Sequence, residues 1–81
     1  MDDLLDALEL ARNRKRLPSP AQRRRIRIRS GVTQTAVAAA LDVSVAALSR
    51  WESGLRAPSG DRLNRYLAVL DQLAAEAERE P

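Results

Sequence analysis

Arginine supplies most of the chemistry that this 81-residue sequence can offer. Only one of its 14 basic residues is a lysine, and nine of the 14 lie within residues 10–41, a stretch without any carboxylate. The planar guanidinium group donates paired hydrogen bonds to phosphate oxygens and to the edges of bases. Because residues 1–9 hold four acids and no base, the net charge of +3 conceals this local positive field. The pattern favours a nucleic acid as the partner, with a solvated helix face as the alternative.

The side chains on which most small metal and nucleophile sites depend are absent. The sequence contains no cysteine and no histidine, which excludes disulfides, the usual zinc ligands and the usual general base near neutral pH. Its 11 carboxylates form no active-site pattern, and there is no glycine-rich phosphate loop. We therefore expect a binding protein without catalytic activity, metal or cofactor.

Nothing in the sequence predicts a membrane segment or a signal peptide. No apolar run approaches the ~20 residues that span a bilayer, and the chain starts with the acidic sequence Met1-Asp2-Asp3. We expect a cytoplasmic protein that makes no membrane contact.

The apolar spacing and the capping residues predict an all-α protein of five helices. Aromatic residues make up only 2% of the chain, which argues against a β-sheet core. The predicted helices cover residues 2–16, 20–30, 34–41, 45–53 and a long segment that Ser59 caps. We expect an N-terminal amphipathic helix and linker over residues 1–19, one domain over 20–75, and a charged tail over 76–81 that frays.

Two of the predicted helices, 34–41 and 45–53, are short and are joined by a very tight break. This arrangement is typical of a helix-turn-helix. Ala38 is small enough for the helices to cross closely, Asp42 tolerates a left-handed backbone better than most non-glycine residues, and Val43 can enter the core after the turn. We expect the second helix to bury Leu48 and Trp51 and to offer its opposite face to solvent.

Residues 33–54, TQTAVAAALDVSVAALSRWESG, resemble the helix-turn-helix of the Cro/phage-repressor (XRE-type) family. The sequences GVTQ at 31–34 and RAPS at 56–59 resemble the family's flanking segments, and the resemblance covers about residues 20–75. It implies a compact, five-helix lambda-repressor-like domain, with an extra N-terminal helix for which the family predicts nothing. Asp42 stands where glycine is usual, and Val37 stands where leucine is usual.

The resemblance also implies that the domain would bind double-stranded DNA, would be associated with the nucleoid, and would use a defined set of residues. Helix 44–53 would enter the major groove, where a bidentate pair between Arg50 and guanine is worth about 1–3 kcal/mol of discrimination. The implied base-contacting residues are Val45, Ala46, Ser49 and Arg50. The implied phosphate-contacting residues are Gln34, Ser44, Arg56, Arg23 and Arg24. Arg27 and Glu52 resemble a pair that bridges two helices in this family, so we expect a structural role for both.

Three functions remain open from the sequence. The first is sequence-specific DNA binding by a small bacterial or phage transcriptional repressor, as a monomer or as a homodimer that pairs through the last helix or through residues 2–16. The second is a protein-interaction module such as an antitoxin, which would hold a partner protein through residues 2–16. The third is a sequence-tolerant architectural DNA binder, marked by a steep salt dependence without a preferred site. An exposed apolar strip on residues 2–16 or 63–74 would favour the second function.

The sequence does not fix the place of two apolar groups. Leu4, Leu5 and Leu8 lie on one side of the first helix, where they either pack inside the monomer or form a dimer contact. Ile28 lies about 200° from Ile26 around the second helix. We expect Ile28 to pack under the first helix, against these leucines.

Overall fold

The computed structural model describes residues 2–79, in which five α-helices and no strand are found. The all-α prediction is confirmed. The first four predicted ranges agree with the structure, and the fifth helix continues to Ala77, beyond the residue at which we expected the charged tail to begin. The last two residues of that tail, 80 and 81, lie outside the described residues. The helices are α1 (Asp2–Arg16), α2 (Pro20–Ser30), α3 (Gln34–Leu41), α4 (Val45–Ser53) and α5 (Gly60–Ala77).

Hydroxyl side chains start the three central helices. Ser19 forms the predicted capping box of α2, since its Oγ accepts from the Gln22 N–H at 3.2 Å while its own N–H donates to Gln22 Oε1 at 3.1 Å. Thr33 caps α3 and Ser44 caps α4 by accepting the backbone N–H three residues further on, at 3.1 Å and 3.0 Å. These bonds fix where α3 and α4 begin.

The capping role predicted for Ser59 is wrong. Ser59 stands at the N-cap position of α5, but its side chain makes no capping hydrogen bond. The backbone explains the difference, because Ser59 has φ −141° and the next residue, Gly60, has φ +56°. The first turn of α5 is therefore irregular, and its N–H groups do not converge on the hydroxyl as they do at Thr33.

The core forms where α5 crosses the helix-turn-helix. Trp51 of α4 packs on Tyr66 of α5 with ring centroids 5.1 Å apart and the planes tilted by 42°, a favourable aromatic geometry. Burial of each leucine in this core contributes about 1.5–3 kcal/mol. The core side chains around the two rings are Val37, Ala38, Leu41, Leu48, Leu70 and Leu73.

Helix α1 lies on α5. Asn13 Nδ2 donates to Asn64 Oδ1 at 2.6 Å, and Arg16 forms an exposed ion pair of 3.5 Å with Asp71. Leu17, just after α1, packs against the core and anchors the end of the helix. The contact with α5 therefore uses polar side chains of α1 and the half-buried Leu10.

The position predicted for Ile28 is wrong. Its exposed fraction is 50%, since α1 packs against α5 and leaves this side of α2 uncovered. Leu4, Leu5 and Leu8 of α1 do not pack inside the monomer either. Their exposed fractions are 66% for Leu4, 64% for Leu5 and 43% for Leu8.

Candidate nucleic-acid interface

The turn between α3 and α4 is built as its sequence predicts. Asp42 adopts the left-handed conformation, with φ 56° and ψ 46°, and is the one non-glycine residue of the described chain with a positive φ. The Asp42 N–H donates to Ala39 O at 3.1 Å and the Val43 N–H donates to Ala38 O at 3.0 Å. These bonds satisfy the last carbonyls of α3 and redirect the chain into α4.

Helix α4 divides into a buried and an exposed face. Leu48 and Trp51 enter the core, as predicted, and Glu52 is buried beside them. The helical step of 100° turns Ala46, Ser49 and Arg50 away from this face. Val45 lies at the edge of the face and is 41% exposed. All four residues predicted to contact bases lie together on the exposed face: Val45, Ala46, Ser49 and Arg50.

Glu52 connects three helices at the back of this face. Its Oε2 accepts from Arg27 Nε at 2.6 Å, and its Oε1 accepts from Arg27 Nη2 at 3.0 Å. Gln34 Nε2 also donates to Glu52 Oε1 at 3.0 Å, while Arg27 Nη1 donates to Val32 O at 3.1 Å. The carboxylate is almost fully buried, with 3% of its side chain exposed. The network thus fixes α4 relative to α2 and to the start of α3, which confirms the structural role predicted for the Arg27–Glu52 pair.

The structure does not support the phosphate-contacting role predicted for Arg23. Arg23 is 8% exposed, and its guanidinium donates to Pro18 O at 2.7 Å and to Trp51 O at 2.9 Å. Burial lowers the pKa of this guanidinium, and the nearby Tyr66 raises it in part. Arg23 therefore acts inside the fold, where it satisfies a carbonyl near the C-terminus of α4.

Tyr66 lies beneath this group of charged side chains. Burial raises the pKa of its hydroxyl to about 12, with Glu52 adding to the rise while Arg23 and Arg27 oppose it. The Tyr66 Oη atom is buried and has no hydrogen-bond partner within residues 2–79. The ring therefore stabilises the core through packing rather than through its hydroxyl.

The other predicted phosphate-contacting residues border the exposed face of α4. Ser44 is exposed at the start of α4, and its hydroxyl proton stays free because the capping bond uses only the oxygen. Arg56 is exposed beyond the end of α4, where its backbone N–H donates to Arg50 O at 3.3 Å. Arg24 is exposed on α2. Gln34 is half-buried, with one amide proton donated to Glu52 and a second available to another acceptor.

One further cation lies beside the start of α4. Arg62 of α5 is exposed and lines a shallow depression together with Ser44, Ala47 and Trp51. It joins the positive rim of the interface. No local sequence pattern indicated Arg62, because its place beside α4 follows from core packing and not from the residues next to it in the chain.

The surroundings of the interface are strongly positive. Between residues 10 and 60 the only acids are Asp42 and Glu52, and Glu52 is neutralised by its pair with Arg27. Exposed guanidinium groups therefore dominate the field at this surface. Within residues 2–79 no group of carboxylates has the arrangement of a metal site. None of the described helices is both long and apolar enough to cross a membrane.

The comparisons with known proteins agree with this geometry. A family model described as helix-turn-helix matches residues 24–75, which contain α3, the turn, α4 and most of α5. No significant match is found among curated proteins or among solved structures.

Proposed function

This chain belongs to the XRE-type helix-turn-helix family, and we propose that it binds double-stranded DNA sequence-specifically as a small bacterial or phage transcriptional repressor. The family is one of DNA-binding regulatory domains. The observation that carries the proposal is the exposed face of α4. Four side chains that are able to touch base edges share it, and the opposite face is locked into the core.

Direct readout would rest mainly on Arg50. Its guanidinium is the one group on this face that can form a bidentate pair with the O6 and N7 atoms of guanine. Val45 and Ala46 would contact thymine methyl groups, and Ser49 would bond a base or a phosphate. A bidentate pair at Arg50 would discriminate against the wrong base by about 1–3 kcal/mol.

Phosphate contacts would set the register of α4 in the groove. Arg56, Arg24 and Arg62 supply exposed cations around it, and we include Arg62 although the sequence did not suggest it. Ser44 and Gln34 would donate the protons that their intramolecular bonds leave free. Such contacts raise the affinity for all sequences and make it fall with salt.

Repression would follow from occupancy of the site. One recognition helix reads only a few base pairs, so useful specificity needs two half-sites about one helical turn or a multiple of it apart. We propose that two copies bind such a site on the bacterial or phage chromosome, in the cytoplasm, and exclude RNA polymerase or another protein from it.

Selection of binding sites from a random duplex library at physiological salt tests this function. We expect enrichment of a two-fold symmetric motif whose half-sites lie about 10 base pairs, or a multiple of 10, apart. Retention of DNA without any enriched motif would replace the proposal with sequence-tolerant, architectural binding. Failure to retain DNA would contradict both.

A second candidate function is supported by α1. Its three exposed leucines form the apolar strip that a protein-interaction module, such as an antitoxin, needs for its partner protein. The test is whether the purified chain captures a different protein through residues 2–16 while it binds DNA weakly.

A further inference from the structure

Helix α1 carries an apolar stripe on the side that faces away from its own domain. Asn13, which bonds to α5, lies about 180° around the helix from Leu4. Leu4, Leu8, Ala11 and Lys15 follow one another at intervals of four, three and four residues, the spacing of a seam between paired helices. All four side chains are exposed. The stripe is therefore available to another helix without any change in the fold.

The charges of α1 separate along its length. The acids of the chain's first nine residues all lie in its N-terminal half, and its four basic residues, Arg12, Arg14, Lys15 and Arg16, lie in its C-terminal half. A parallel copy of the helix would set acid against acid and base against base. An antiparallel copy would set each acidic half against a basic half.

We propose that α1 pairs with α1 of a second copy of this chain, antiparallel and about a two-fold axis at Leu8. This register brings Leu8 against Leu8 of the second copy and sets Leu4 beside its Ala11. Asp3 and Arg14 are 11 residues apart, three turns of helix, so both flank the same edge of the stripe. In a two-fold antiparallel pair, this edge of one copy faces the same edge of the other copy. Asp3 of each copy therefore lies beside Arg14 of the other.

The charge pattern favours a second copy over an unrelated protein as the occupant. Leucines alone would suit many apolar partners, but an isologous interface requires a surface complementary to itself. The separated charges and the Asp3–Arg14 spacing meet that requirement from one helix. The apolar area is small, with three leucines in each copy, so we expect a weak dimer that DNA with two half-sites stabilises.

The pairing leaves the DNA-binding surface free. Helix α1 packs against α5, whereas α4 packs against α2 and α3. The inference rests on the proposed function, because the dimer would supply the two copies that a symmetric DNA site needs. Its test needs no DNA, so the dimer and the DNA-binding function can fail separately.

Charge reversal at Asp3 and Arg14 tests the interface. Sedimentation equilibrium of the full chain without DNA should show a concentration-dependent dimer. Asp3→Arg and Arg14→Asp should each raise the dissociation constant about tenfold, because each replaces two attractions by two repulsions. The double variant should recover most of the loss. Both reversals oppose the dipole of α1, so recovery would not come from a more stable helix.

Matched controls separate this interface from general effects. Arg65→Asp, at an exposed position of α5, makes the same charge change as Arg14→Asp and should leave dimerisation unchanged. Leu8→Ser should weaken the dimer, while Leu55→Ser, at a residue 77% exposed elsewhere, should not. A chain that stays monomeric at every concentration, a wild-type dimer unaffected by the single reversals, or a double variant weaker than both singles would overturn the proposal.

Discussion

The Glu52 carboxylate accepts from both Arg27 and Gln34, at 2.6 and 3.0 Å, and so ties the end of α4 to α2 and to the first residue of α3. The same turn of α4 carries Arg50 on its opposite, exposed side. A buried ion pair thus sets the direction in which the proposed base-reading side chain points.

Removal of one partner from this pair should destabilise the fold strongly. Glu52→Ala leaves the Arg27 charge buried and unpaired, which costs about 3–5 kcal/mol. The double variant Arg27→Met, Glu52→Leu removes both charges and should lose clearly less. Urea unfolding of the three proteins gives the comparison. If Glu52→Ala lowered the free energy of unfolding by less than about 1 kcal/mol, the ion pair would contribute little to the stability of the fold.

Tyr66 should make the protein sensitive to alkali. The unfolded chain releases the Tyr66 proton near its ordinary pKa of 10.0, whereas the folded chain holds it until about 12. Above pH 10 the unfolded state therefore binds fewer protons than the folded state. The contribution of the protonated Tyr66 to the free energy of unfolding is fully present below pH 10 and is lost as the pH rises towards 12.

Tyr66→Phe is the matched variant for this effect. Because the buried hydroxyl has no partner in the described part of the chain, its removal should raise the free energy of unfolding by about 1 kcal/mol near neutral pH. Urea titrations at pH about 9 and about 11 should show a loss of stability for wild type that the variant lacks. Parallel losses in both proteins would show that ionisation of Tyr66 is not the cause.

The turn should improve when its usual residue is restored. Asp42 holds a left-handed conformation with φ 56°, which glycine adopts without steric cost and most other residues adopt at about 1 kcal/mol or more. Asp42→Gly should therefore stabilise the fold by about 1 kcal/mol, and Asp42→Ala should destabilise it. Thermal unfolding distinguishes the two. If both changes destabilise the protein, the Asp42 side chain has a role that its backbone conformation does not explain.

Arg56 should contribute affinity without specificity. Its proposed phosphate contact predicts that Arg56→Ala weakens binding about equally on selected and random DNA and lowers the salt slope by about one. Fluorescence anisotropy titrations at several salt concentrations measure both quantities. The exposed Arg65, on α5, is the matched position at which an alanine should change neither. A loss confined to the selected DNA would assign Arg56 to base recognition instead.

Local signals were sufficient for most of the fold. Ser19, Thr33 and Ser44 fix where three helices begin, and Asp42 with Val43 fixes the turn. The exposed face of α4 followed as well, because its buried residues repeat at the helical period. These features depend on residues only a few positions apart in the chain, and short sequence patterns describe interactions over that distance.

Packing between distant elements decided what the sequence left open or misplaced. Arg23 is one of three consecutive arginines, and only the approach of α4 turns it inward, towards the Trp51 carbonyl. Ile28 is exposed because α1 lies on α5 instead of α2. Arg62 lies beside the start of α4 because α5 packs next to that end of the helix. None of these three positions could be predicted from the residues that are close in sequence.

In the proposed function, the exposed face of α4 reads base edges through Arg50. The most direct test measures binding of wild type and Arg50→Ala to the selected site and to every single base-pair substitution of it. We predict that the variant loses about 1–3 kcal/mol of discrimination at one base pair in each half-site and keeps its preferences elsewhere. An unchanged preference at every position would contradict the claim and assign recognition to another surface.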